Sequence, residues 1–178
     1  MSGEDKRGRE IVSSAHLVSE RAAELSELEF GLIIAGHAFN RWVVRCMAAA
    51  GEGDLGPLDA LVLHSVNHRG REKKLADICF VLNVEDTHTV TYALKKLLRL
   101  GLVRAAKSGK ETVYAISPAG RAACERYREV REDCLIGAFE AFAGGRREDL
   151  NRDIGAAAEL LRALSGLYDQ AARAAASL

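Results

Sequence analysis

The chain has no cysteines at CxxC spacing, only two prolines, one tryptophan and few aromatic residues, and its formal net charge is zero. Each shortage excludes something. Cys46, Cys79, Cys124 and Cys134 are too scattered for a zinc clip or a redox dithiol; they read as reduced thiols on helices, most of them buried. Scarce proline with plentiful Ala, Leu, Glu and Arg favours helices over sheets. No apolar signal region follows the charged stretch MSGEDKRGRE, so a cytoplasmic location is expected rather than export. The longest apolar run, FGLIIAGHAFNRWVVRCMAAA, has the length of a membrane span. Asn40, Arg41 and Arg45 interrupt it, however, and one arginine at mid-bilayer costs about 2.5–3.5 kcal/mol, so a helix packed against protein is expected. There is no GxSxG, Walker loop or HExxH, and no carboxylate pair set apart from solvated helix faces. Neither an enzyme nor a cofactor is expected.

What is present is a chain of 178 residues, enough for one domain or a small domain with helical extensions. A chain of this size buries roughly 70% of its unfolded surface and needs no disulfide or metal to hold it. The zero net charge conceals an asymmetry. Residues 57–120 carry ten basic against six acidic side chains, a surplus of four. Residues 1–56 have a deficit of three and residues 121–178 a deficit of one. A basic module between acidic flanks is the distribution that matters for a polyanionic partner.

Residues from about Ser14 to Leu28 are helix-permissive, and a stronger helix follows from about Phe30 to Ala50. GEGDLGP then breaks it. Gly51, Gly53 and Gly56 formally match GxGxxG, but a dinucleotide fingerprint leaves a strand, whereas an alanine-rich helix comes first here. Glu52 and Asp54 would also repel phosphate, so the stretch reads as a linker with Pro57 opening the next helix. Pro57–Asn67 places Leu58, Leu61, Val62 and Val66 on one face. Leu75, Ile78, Cys79 and Leu82 mark a third helix, with Asn83 as its stop and Asp86 as the N-cap of the next.

In that fourth helix Val90, Leu94, Leu97 and Leu98 form the inner face, and Gly101 ends it. LVRAAK and TVYAIS are strands joined across Ser108–Glu111 as a hairpin, and Ser117–Pro118 cap and open a further helix. The remainder predicts two long helices, Pro118–Ala143 and Arg147–Ala175, broken at Gly144–Gly145. The expected fold is mainly α with a small β-hairpin wing: a winged helix-turn-helix flanked by long helices that dimerise. Three segments follow: residues 1–56 for dimerisation, 57–117 as the DNA-binding module, and 118–178 again for dimerisation.

His88, Thr91, Tyr92, Lys95 and Arg99 recur on the side of the fourth helix opposite the leucines. Any solvated amphipathic helix has such a face. The hairpin and the local basic surplus are what point this one at DNA: hydroxyls and an imidazole suit base edges, and cations further along suit phosphates. Thr89 and Lys96 join the candidate contacts on this helix, with Lys107 and Lys110 beside the hairpin turn.

HTVTYALKKLLRLGLV, residues 88–103, resembles the recognition helix and following strand of the MarR family of transcriptional regulators. Leu75–Ala76 resembles the family's Leu-Ala in the preceding helix, and Ser117-Pro-Ala-Gly-Arg121 its Ser/Thr-x-x-Gly-Arg after the wing. The likeness covers about residues 57 to 121 and implies a homodimeric, sequence-specific DNA-binding regulator, usually a repressor, whose recognition helix (about 86–100) enters the major groove beside a wing at 102–117. Tyr92 replaces the family's common arginine, and about four extra residues, roughly one helical turn, precede the recognition helix. SGKE also offers no arginine at the wing tip. The alternative is a winged helix used for protein–protein contact without sequence-specific DNA binding.

Two further clusters stand out. His64 and His68 have the i, i+4 spacing that can grip a metal, but no third ligand is evident nearby and surface histidines are the simpler account. His37, Arg41, Trp42 and Arg45 share one apolar helix; their arginines either pair with acids or face a cleft for a small molecule. In the resembling family that cleft often binds small, frequently anionic aromatic ligands, so a ligand site stands beside structural ion pairs as the two accounts of these residues. The partners expected are double-stranded DNA, a second copy and a small effector, with no membrane.

Overall fold

The computed structural model describes residue 19 and residues 21–178, so the first part of the expected Ser14–Leu28 helix lies outside the described residues. The elements are α1 (Ala23–Ala49), α2 (Pro57–Asn67), β1 (Lys73–Lys74), α3 (Leu75–Leu82), α4 (Thr87–Arg99), β2 (Val103–Ser108), β3 (Glu111–Ile116), α5 (Pro118–Arg131), α6 (Gly137–Ala143) and α7 (Arg147–Ala175). A π-helical turn, Glu132–Ile136, separates α5 from α6. Two compact units result, one ending at Arg128 and the other comprising Glu129–Leu178. No described helix is long and apolar enough to cross a membrane.

The first unit is built around α2, α3 and α4. Val62, Leu63, Val66, Ile78, Val90, Leu94 and Leu97 are fully buried in one cluster, which Val43 and Met47 from the end of α1 complete. Burial of each such side chain contributes roughly 1.5–3 kcal/mol, so these three helices hold one another in place. Leu98, expected on the inner face, is only half-buried; Ala93 is buried in its stead. The GxGxxG look-alike connects α1 to α2 and follows no strand, as the linker reading expects.

Helix ends follow the capping chemistry. Asn83 closes α3 in the left-handed region (φ 51°), and Val84, Glu85 and Asp86 lead on to α4. The expected extra turn before α4 does not lengthen α3, which is only eight residues long. At the far end of α4, Gly101 (φ 71°) lets its own amide donate to Leu98 O and that of Leu102 to Leu97 O, the paired bonds of a Schellman motif. The chain then turns directly into β2.

β2 and β3 pair antiparallel from Val103↔Ile116 to Ser108↔Glu111. β1 adds a third strand on the other side of β3, through Lys73↔Tyr114 and Lys74↔Val113. Sequence reading missed it, because two residues carry no periodicity and the pairing spans about forty positions. Lys73 is buried there and its ammonium donates to the carbonyls of His68 (2.7 Å) and Arg71 (3.2 Å), which folds the α2–β1 loop back on itself. Burial, then the charges of Arg71 and Arg69, hold its pKa below the ordinary lysine value.

Ser117 joins the sheet to α5. Its hydroxyl lies 2.7 Å from Gly101 O and 2.9 Å from Leu102 O, and accepts from the Gly120 amide. The N-cap of α5 is thereby fixed to the end of α4.

In the second unit helical turns continue to Ala143, and the chain breaks at Gly144–Gly145 as expected before α7. α7 has no buried residue; Ile154, Leu160, Leu161 and Leu167 are all exposed.

Candidate nucleic-acid interface

α4 is the most strongly two-sided helix of the first unit. Val90, Ala93, Leu94 and Leu97 are buried, while His88, Thr89, Tyr92, Lys95 and Arg99 are exposed, Tyr92 at 74%. Asp86 starts the helix, its Oδ1 accepting from the His88 amide at 2.9 Å. Thr89 Oγ1 donates to Asp86 O and Thr91 Oγ1 to Thr87 O, so both hydroxyls keep an acceptor lone pair for an incoming donor. The N-terminal half of the outer face thus carries imidazole, hydroxyl and phenol, and the C-terminal half carries Lys95 and Arg99. A protruding helix with this order matches the dimensions and chemistry of a major groove.

The hairpin supplies a second element. Lys110 lies in its two-residue turn and Lys107 just before it, both exposed, with Lys107 Nζ donating to Thr112 Oγ1 across the strands at 3.2 Å. Glu111, the one acid there, pairs with Lys74 of β1. The hydrogen bond and charge of Glu111 raise the pKa of Lys74. Neutralising the acid leaves the two turn lysines free to attract an anion.

Lys96 departs from expectation. It turns away from the outer face, and its Nζ lies 2.6 Å from Asp59 Oδ2 at the start of α2, with both side chains largely buried. The periodicity explains the misplacement: position 96 borders the leucine face, and a long lysine stem reaches across to a partner invisible in local sequence. Lys74 is the converse case, a wing residue that no local pattern reveals.

Among the effector candidates, His37, Arg41 and Arg45 line an open groove of about 520 Å³ together with Asn40, Val44, Ala48, Gly53 and Pro57. Trp42 does not line it; half-buried, it packs against the hydrophobic core. His64 and His68 do not face a common site either. His64 meets the ring of Tyr127, whereas His68 is exposed beyond the end of α2. Among the described residues no three His, Cys, Asp or Glu side chains converge as a metal site. Cys46, Cys79 and Cys124 are buried and Cys134 is exposed, and burial first of all raises the Cys124 thiol to about 11.

Helices α2, α3 and α4, a three-stranded sheet with a projecting hairpin and a polar outward face on α4 define a winged helix-turn-helix protein. Residues 55–120 match the family model of the winged helix DNA-binding domain, and the chain has the MarR-type winged helix fold. A MarR family transcriptional regulator from Rhodococcus sp. RHA1 is similar at 16% identity and a TM-score of 0.59, covering 78% of this chain and 92% of its own. A mutant of MarR from E. coli, solved in complex with operator DNA, is similar at 16% identity and a TM-score of 0.62, with 82% and 99% covered. CouR from Rhodococcus jostii RHA1, bound to p-coumaroyl-CoA, is similar at 16% and 0.51, with 69% and 88% covered. No curated protein sequence matches.

Proposed function

We propose that this chain is a DNA-binding transcriptional regulator, a repressor acting as a homodimer, with α4 in the major groove and the β2–β3 hairpin on the flanking backbone. The observation that carries the reading is the outer face of α4: base-reading groups from His88 to Tyr92 lead into phosphate-binding cations at Lys95 and Arg99, opposite an inner face whose Val90, Ala93, Leu94 and Leu97 are buried. The operator complex of the similar MarR variant supports it. Two copies would set the two α4 helices into successive grooves about 34 Å apart and so read a near-palindromic site. Exposed apolar residues on α1 (Ile33, Ile34, Phe39) and α7 support assembly with a second copy.

The groove lined by His37, Arg41 and Arg45 is the effector site in this reading, and its two guanidiniums suit an anionic ligand. An effector acts by binding two spacings of the recognition helices unequally. The acyl-CoA held by the similar CouR supports a ligand-responsive regulator.

A protein–protein role is the second reading. Phe80, 87% exposed, and Val81, 66% exposed, favour it, because DNA contact gives two apolar residues on the outside of α3 no function.

Selection of bound sites from a random duplex pool, then titration of the selected duplex across salt concentrations, decides between them. DNA regulation predicts an enriched motif and a log–log salt slope near −0.9 for every phosphate neutralised. No enrichment and a flat slope would leave the protein-interaction reading.

A further inference from the structure

We infer that Lys96 and Asp59 form a positioning pair that sets the angle of the recognition helix, and that they determine sequence specificity without touching DNA. The inference rests on the DNA-binding reading above. Lys96 Nζ lies 2.6 Å from Asp59 Oδ2, and the two side chains are 21% and 12% exposed. The same carboxylate oxygen accepts the Gly56 amide at 2.8 Å, where the chain enters α2. One atom therefore receives a donor from the α1–α2 linker and a donor from α4. The linker has a second anchor: Arg126 of α5 donates through Nε to Ala50 O at 2.6 Å and lies near Glu52.

This arrangement constrains one degree of freedom that apolar packing leaves soft. The inner face of α4 is aliphatic, and such a face permits small rotations and slides along its partner. A short, charge-assisted bond shielded from solvent does not, since lengthening it exposes two charges to each other's loss in a poorly solvated place. Lys96 immediately follows Lys95 on the outer face and comes one turn after Tyr92, so a rotation of α4 that breaks the pair also re-aims those two side chains.

The alternative role for Lys96, a phosphate contact, makes opposite predictions. A phosphate-binding lysine is hindered by a neighbouring carboxylate, so Asp59→Asn would tighten DNA binding. A positioning lysine needs that carboxylate, so Asp59→Asn weakens specific binding.

The experiment measures anisotropy of wild-type protein, Lys96→Met, Asp59→Asn, the double variant and Lys96→Arg on a duplex selected by the wild type and on a random duplex, across salt. The inference expects Lys96→Met and Asp59→Asn each to lose about tenfold on the selected duplex, the scale of one base contact, with little change on random DNA. It expects an unchanged salt slope, a double variant no worse than either single one, and near-wild-type binding by Lys96→Arg. A slope reduced by about 0.9 in Lys96→Met, with equal losses on both duplexes, would overturn it. So would tighter binding by Asp59→Asn. Should Asp59→Asn fail to fold, the slope and duplex preference of Lys96→Met and Lys96→Arg decide alone. A wild type that selects no duplex overturns the DNA-binding reading itself; a selective wild type whose variants bind equally overturns only the positioning pair.

Discussion

Gly120 of α5 packs directly on the backbone of Leu102: a Cβ built at Gly120 would lie 2.0 Å from Leu102 O and 2.7 Å from Ile116 Cδ1. The first of these is backbone already engaged by Ser117, whose amide and hydroxyl both reach Leu102 O. The Ser-Pro-Ala-Gly sequence is therefore a joint between the end of α4, the wing and α5, held by the hydrogen bonds of Ser117 and the close approach of Gly120. Gly120→Ala gains about 1 kcal/mol of helix propensity but must displace that backbone, so a net loss of about 2 kcal/mol or more is expected in urea unfolding. Unchanged stability would show that the joint is loose.

His64 makes stability depend on pH. It is packed edge-on against Tyr127, ring centroids 4.5 Å apart and planes at 63°, and its buried Nε2 has no hydrogen-bond partner among the described residues. Burial lowers its pKa below the ordinary value. The unfolded chain then takes up this proton before the folded one does. The stabilisation is complete above about pH 6.5, the unfolded pKa, and falls as pH drops from there through the folded value. Urea midpoints measured from pH 7.5 to pH 5 should decline in the wild type and decline less in His64→Leu. Parallel profiles would remove His64 as the cause.

Two exposed residues of α4 separate base reading from charge. Lys95→Ala should weaken binding to all duplexes about equally and reduce the salt slope by about 0.9. Tyr92→Ala should leave the slope alone and relax preference at one or two base pairs, at a cost of about 1–3 kcal/mol on the selected site. The check is binding to a panel of single-base variants of that site. Identical behaviour of the two variants would contradict the assignment.

Dimer formation is tested at α7. Leu160 and Leu167 are exposed at 50% and 51% and lie two turns apart on one stripe. Changing both to lysine removes roughly 1.5–3 kcal/mol of apolar burial per side chain if a second copy covers them. Sedimentation velocity at micromolar concentration should shift from dimer to monomer while helix content by circular dichroism stays constant. A wild-type monomer at that concentration would refute the homodimer.

Trp42, the chain's one tryptophan, belongs to the same helix as the groove residues and gives a local reporter. Benzoate, as a minimal aromatic anion, should quench or shift its emission saturably, and Arg41→Gln with Arg45→Gln should abolish the change. An equal response in that double variant would place any binding elsewhere.

Much of the first unit could be read locally because its signals are local. The leucines of α4 repeat at helical spacing, Asp86 and Asn83 bracket the turn before it, and Gly101 can close it only through the left-handed region. Those choices concern neighbouring residues, and periodicity and capping record them directly. The exposed side of α4 follows from the same period, and with it the candidate contacts from His88 to Arg99.

Tertiary structure decided what depends on distant partners. Lys95 and Lys96 are adjacent cations of one chemistry, yet one faces solvent and the other reaches Asp59, thirty-seven positions away, a partner that local sequence does not reveal. Lys74 and Glu111 are brought together only by pairing of β1 with β3, and Trp42 packs against the core and does not line the groove. A side chain's inherent chemistry and its helical phase are properties of the sequence. Which charge it meets, and whether water still reaches it, are settled when the elements pack.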